Sequence, residues 1–167
     1  LGTGTLAFGA TGAKIFAAGN LTLGSNLAVT GSAGLTKSGA GILLEDNSVA
    51  LTGGLTVNSG TVSAGVDSAF ASQALTVRSG GVFALNGFTG AVSALTLESG
   101  ATAGASVTTG TGSLSLSGPL ALNVNGVGTT AATIAGNLAL TTTPTITVSD
   151  GSAASDLTIS ALVSGAF

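Results

Sequence analysis

The chain has 167 residues, of which 44% are hydrophobic and only 5% charged, and its formal net charge at pH 7 is −3. The sequence contains neither Cys nor His, which excludes thiolate and imidazole chemistry and any disulfide framework. The scarcity of basic residues argues against nucleic acid as a partner, and the excess of apolar over charged residues argues against intrinsic disorder.

Short segments of alternating apolar and polar residues follow one another along the chain and are separated by Gly, Ser and Ala. In chain order they are residues 21–23, 27–29, 35–39, 55–60, 75–80, 95–100, 114–116, 138–140, 146–148 and 157–159. The central copies read LTVNSG, LTVRSG and LTLESG, recur every 20 residues and align without gaps, whereas the register of the first 30 and the last 50 residues is ambiguous. Alternation of this kind, closed by a turn signal, predicts short β-strands with one buried face.

A strand of this length cannot bury its apolar face alone, so the repeat predicts that successive units stack in register. Stacking places equivalent side chains in columns. Three of these columns face the interior, and one, made of Thr, faces solvent. The inward columns are Leu35, Leu55, Leu75 and Leu95, then Val57, Val77 and Leu97, then Val62 and Val82, and the outward column is Thr56, Thr76 and Thr96. We therefore predict an all-β fold, a parallel β-helix (β-solenoid) of about 20 residues per coil and about eight coils, as a single domain over residues 1–167.

Residues 34–44 (GLTKSGAGILL) and 51–62 (LTGGLTVNSGTV) resemble the autotransporter-associated β-strand repeat of secreted bacterial passenger proteins. Agreement extends over roughly 29 residues, and the rest of the chain is similar to degenerate copies. The stretch from Ile42 to Asp46 departs from the family's apolar-Thr-apolar-Ser-Gly pattern. The resemblance implies a right-handed β-helix, export across a Gram-negative envelope to the cell surface or beyond, a stalk or adhesin role, and no catalytic residues.

The few charged residues suggest no catalytic, cofactor-binding or metal site. The neighbours Glu45 and Asp46 face opposite sides if they lie on a strand, and we expect both to lie in a solvated turn instead. Asp150 and Asp156 flank a Gly-Ser-Ala-Ala-Ser stretch, where a weak calcium site is the less favoured alternative. We accordingly predict no metal and no cofactor.

The remaining charged residues indicate how consecutive coils align with one another. Arg78 and Glu98 occupy equivalent positions of consecutive coils, so we expect them to stack and pair. Lys37 falls beside Val57 if its repeat is aligned without a gap. A gap of one residue keeps its ammonium out of the core, and we favour that alignment because a buried ammonium is costly.

Three functions remain open at this point. We favour a structural β-solenoid without catalysis, as an extracellular stalk or a filament subunit that either associates end to end or continues into a longer chain. The start at Leu1 rather than Met favours a piece of a longer polypeptide. An adhesin that binds surface glycan or host protein is the alternative, and a carbohydrate-active enzyme comes third. No run of 18 apolar residues is present, so we expect no membrane span.

Overall fold

The structure of the chain, a computed structural model, describes residues 3–165 and is all-β, with no helix in that part. Its twenty strands are β1 (Gly4–Phe8), β2 (Ala13–Phe16), β3 (Leu21–Leu23), β4 (Leu27–Gly31), β5 (Leu35–Ser38), β6 (Ile42–Glu45), β7 (Val49–Leu51), β8 (Leu55–Val57), β9 (Gly60–Ala64), β10 (Gln73–Val77), β11 (Gly81–Ala84), β12 (Gly90–Ser99), β13 (Ser106–Thr108), β14 (Leu114–Leu116), β15 (Leu120–Val124), β16 (Ala132–Ala135), β17 (Asn137–Leu140), β18 (Ile146–Val148), β19 (Leu157–Ile159) and β20 (Leu162–Gly165).

The strands stack in parallel on three faces of a β-solenoid, which confirms the predicted fold class. The first face contains β1, β4, β7, the start of β12, β14, β17 and β20, with Phe70 bridged to Val49 between β7 and β12. The second face contains β2, β5, β8, β10, the end of β12, β15 and β18. The third face contains β3, β6, β9, β11, β13, β16 and β19.

The solenoid has about seven turns of roughly 23 residues, rather than eight coils of 20. The 20-residue spacing holds only where the repeat is gapless, because other coils have longer corners. One such corner is residues 149–156, between β18 and β19. At about 4.8 Å between stacked strands, seven turns make a rod roughly 34 Å long.

Two of the three predicted inward columns and the outward Thr column are confirmed by the strand register. Leu35, Leu55, Leu75 and Leu95 are successive partners, and so are Thr56, Thr76 and Thr96. The buried Val57, Val77 and Leu97 stack in the same way. The four later triplets, beginning at Leu114, Leu138, Ile146 and Leu157, are strands with the predicted bounds or nearly so.

The third predicted column, Val62 with Val82, is wrong. Val62 is the partner of Phe83, and Val82 is the partner of Thr61. The corner after β10 has one residue more than the corner after β8, since Gly81 pairs with Gly60 whereas Val77 pairs with Val57. An extra residue reverses which side chains point inward, and this places Phe83 in the core.

The core is one continuous cluster of apolar side chains inside the solenoid, and most of them are Leu and Val. Its two buried aromatic rings, Phe70 and Phe83, pack edge to face with centroids 5.1 Å apart. Edge-to-face contact is a favoured geometry because the positive ring edge meets the negative ring face. Among the described residues no helix is long and apolar enough to cross a membrane.

Candidate functional site

Glu45 is buried, so the expectation that Glu45 and Asp46 lie in a solvated turn is wrong for Glu45. It is the last residue of β6 and points inward, in register with Leu23 on one side and Ala64 on the other. Asp46 follows the strand and stays partly exposed. The neighbour of Glu45 on the following coil, Ala64, has a small side chain and is also buried.

The Glu45 carboxyl group has no hydrogen-bond partner within residues 3–165. Its side chain is 0% exposed, and neither Oε1 nor Oε2 contacts a donor among the described residues. Burial raises the pKa of Glu45 from 4.5 to about 8, because the low-polarity interior disfavours the charged form. The side chain is therefore mainly a neutral acid at pH 7, closed off from any substrate.

Lys37 also lies in the core, so the gapped alignment that kept it outside is wrong. It is in register with Ile15 and Val57, and its side chain is 0% exposed. The ammonium group extends from this column to a corner, where it donates to the carbonyl oxygens of Gly39 (2.6 Å), Ser59 (2.9 Å) and Gly41. Burial lowers the pKa of Lys37, and the three carbonyls replace the water that the ammonium gave up.

Gly60 is required beside this ammonium. It adopts a φ of 69°, a backbone conformation that L residues rarely adopt, and a Cβ atom there would overlap the Lys37 Nζ and the Gly39 carbonyl. The Ser-Gly sequence that follows β8 therefore does more than form a turn. It also makes room for the Lys37 side chain of the preceding coil.

The second acidic pair lies in a corner of the last coils. The Asp156 carboxylate accepts a hydrogen bond of 3.0 Å from the Gly151 amide, which orders the corner between β18 and β19. Within residues 3–165, no three side chains of the types that bind metal come together. The calcium alternative for Asp150 and Asp156 thus has no supporting geometry.

The predicted pairing of Arg78 with Glu98 is confirmed. The guanidinium Nη1 lies 2.8 Å from Oε1 of Glu98 on the next coil, and the other carboxylate oxygen accepts from the Ser79 amide at 3.4 Å. The Arg78 side chain is 50% exposed. The pair is therefore screened by solvent and helps to align two coils rather than to form a reactive site.

We expect Arg78 and Glu98 to couple only weakly. In a double-mutant cycle with Arg78→Ala and Glu98→Ala, measured by urea denaturation, the coupling free energy should stay below about 1 kcal/mol and decrease with added salt. A coupling of several kcal/mol that is insensitive to salt would contradict this assignment.

Surface concavities are the remaining candidate sites, and one of them, of about 410 Å³ with Asp46 in its wall, adjoins the first of the two described next. The first, of about 360 Å³, lies at the corner before the first face and is lined by small polar residues that include Thr3, Ser25, Asn26 and Asn47. The second, of about 420 Å³, lies at the corner between the first and second faces and includes Gln73 in its wall. Sequence reasoning identified neither, because each is formed by residues of several coils.

Comparison of the chain with protein-family models, with curated proteins and with solved structures found no match.

Proposed function

We propose that this chain is a structural rod of a bacterial cell surface, a stalk segment or filament subunit that catalyses no reaction and whose ends stack on another copy or continue into further coils of a longer chain. The single observation that carries the proposal is the exposure of core columns at both ends of the rod. The resemblance to autotransporter passenger repeats supports the extracellular location.

Within the described residues 3–165, the last coils leave the core columns uncovered. Ile146 and Val148 of β18 are in register with the buried Leu120 and Leu122, yet they are 49% and 48% exposed. On the first face, Val163 of β20 is in register with the buried Leu138 and is 48% exposed. These side chains point along the interior columns, but no further coil among the described residues covers them.

The first coil likewise leaves side chains of the core columns exposed. Leu21 of β3 is in register with the fully buried Leu43 and is 38% exposed, and Ile15 of β2 is only partly buried. At this end the outer backbone edges of β1, β2 and β3 have no partner within residues 3–165, and the same holds for β18, β19 and β20 at the other end.

A second copy stacked head to tail would satisfy both ends at once. Because the named strands within residues 3–165 pair only in parallel, β18 of one copy could pair with β2 of the next, while β20 pairs with β1 and β19 with β3. Such a contact joins two different surfaces and repeats without closing, which produces a filament. A net charge of only −3 provides little repulsion against it.

The assembly is tested with a charge placed on the end of the rod. We expect the wild-type chain to form long fibres in negative-stain images and to sediment faster as its concentration rises. Val148→Glu should block both, because it puts a carboxylate on the column that the next copy must cover.

The matched control is Val127→Glu. Val127 is 60% exposed but belongs to the loop between β15 and β16, beside the next coil rather than at an end of the rod, so this variant should still form fibres. Rods of single-chain length at every wild-type concentration would contradict the proposal, and so would fibres of Val148→Glu equal to wild type.

A further inference from the structure

Two Asn-Gly pairs occur in the sequence, at residues 86–87 and 125–126. Asparagine followed by glycine is prone to spontaneous deamidation, because glycine has no side chain to hinder attack by its own backbone nitrogen on the asparagine carboxamide. The attack requires a carboxamide that can turn towards this nitrogen and a backbone N–H that can lose its proton. By sequence the two pairs are equivalent, but their surroundings in the fold differ.

The first pair, between β11 and β12, is held at both reacting groups. The Asn86 Nδ2 donates to the Oγ of Ser63 at 2.5 Å and to the carbonyl oxygen of Ala64 at 3.0 Å. The Gly87 amide donates to the carbonyl oxygen of Thr109 at 2.8 Å. The carboxamide cannot turn, and the amide cannot lose its proton, until these hydrogen bonds to neighbouring coils are broken.

The second pair, in the loop between β15 and β16, lacks these restraints. Asn125 and Gly126 are both exposed, and the Gly126 amide donates no hydrogen bond within residues 3–165. A Cβ atom built on Gly126 would have no atom within 4 Å, so the backbone borders open space. The Asn125 carboxamide donates one solvent-exposed hydrogen bond of 3.2 Å, to the Oγ of Ser79. Water competes for such a bond, which leaves the carboxamide free to turn.

We propose that Asn125 deamidates spontaneously in the folded protein, whereas Asn86 is protected. The Gly126 nitrogen loses its proton and bonds to Cγ of Asn125, while Nδ2 takes up a proton and leaves as ammonia. The product is a succinimide ring. Water then opens the ring at either carbonyl. Attack at Cγ gives aspartate, and attack at the main-chain carbonyl gives isoaspartate, in which the chain continues through Cγ.

The reaction changes both the charge and the backbone of this loop. Either product adds a carboxylate to a chain whose net charge is −3, and isoaspartate also lengthens the main chain by a methylene group. The loop is bound to the corner of the next coil, since the Ser152 and Ala153 amides donate to the carbonyl oxygens of Val127 and Gly128 at 3.0 Å. The modification therefore lies beside a contact between two coils.

The test follows both sites in the same chain. The folded protein is incubated at pH 7 and digested, and mass spectrometry with fragmentation that distinguishes isoaspartate from aspartate measures each site over time. We expect the products to accumulate at Asn125 about tenfold faster or more than at Asn86, because three hydrogen bonds must break before Asn86 can react. In the chain unfolded by urea the two sites should react at similar rates, since each then depends only on its Asn-Gly sequence.

Two variants identify the reacting residue. Asn125→Gln should abolish the product at this position, because glutamine would have to close a larger ring and does so far more slowly. Asn58→Gln makes the same change at another exposed asparagine and should leave the rate at Asn125 unchanged. Equal rates at Asn125 and Asn86 in the folded chain, no isoaspartate at Asn125, or the folded-state ratio persisting in urea would each overturn the proposal. None of these outcomes depends on end-to-end stacking.

Discussion

Replacing Glu45 by Gln is expected to remove most of the pH dependence of stability between pH 4.5 and about 8. Burial raises the pKa of this carboxyl group from 4.5 to about 8 in the folded protein. Between these two values the folded chain holds a proton that the unfolded chain has released. Unfolding is therefore increasingly favoured as the pH rises, and wild-type stability should be highest below pH 4.5 and level off above about pH 8.

The size of this effect is large for a domain of this length. A rise in pKa from 4.5 to about 8 lowers the free energy of unfolding by at most about 5 kcal/mol between acid and alkaline pH, at about 1.4 kcal/mol for each pH unit. Whole domains are stable by only about 5–15 kcal/mol. Urea denaturation at intervals from pH 4 to pH 9 measures the slope directly, and Glu45→Gln should give a nearly flat profile over this range.

Two comparisons make the Glu45 experiment specific. Glu98→Gln makes the same chemical change at the ion pair with Arg78 and should keep the wild-type slope. Hydrogen bonds from the Thr89 amide and hydroxyl lower the pKa of Asp67, so its contribution is lost only as the pH falls below its ordinary 3.8, outside the range tested. An unchanged slope in Glu45→Gln would show that the carboxyl group reaches solvent in the folded protein.

The repeat was sufficient to predict the fold because each unit has the same alternation of apolar and polar residues at the same spacing. Leu55, Leu75 and Leu95 with their Thr neighbours specify a half-buried strand, and identical spacing specifies parallel stacking. Prediction became wrong where a corner changed length. A single extra residue after Val77 exchanged Val82 for Phe83 in the core, and spacing alone does not reveal which corner contains the addition.

The interior polar residues were missed for a different reason. Charge and length argue that lysine and glutamate belong outside, and this reasoning predicts a gap before Lys37 and a turn at Glu45. The gapless alignment already placed Lys37 beside Val57, and the repeat was a better guide than residue type. Gln73 lies two residues before Leu75 on β10, so strand alternation places its side chain inward with Leu75 despite its polarity.

The contacts of Lys37 differ from those of Glu45, although both side chains are 0% exposed. The ammonium group joins a corner of its own coil to the following coil, since Gly39 and Gly41 precede β6 whereas Ser59 precedes β9. Three carbonyl oxygens converge on one point, and only a cationic donor with several N–H bonds can serve them together. Removal of the donor leaves these acceptors facing one another.

Lys37→Met should therefore destabilise the protein by roughly 3 kcal/mol, although methionine matches the apolar part of the lysine side chain. Loss of the donor leaves the Gly39 and Ser59 carbonyls unpaired at about 1–3 kcal/mol each, whereas the Gly41 carbonyl keeps its hydrogen bond from the Thr61 amide. The desolvation that the ammonium no longer suffers offsets part of this cost. Leu97→Met, in the same core column but without polar contacts, should cost less than about 1.5 kcal/mol. Urea denaturation of both variants at pH 7 measures the difference. If Lys37→Met were as stable as the wild type, the three carbonyl contacts would contribute nothing net, and the lysine would be in the core without stabilising it.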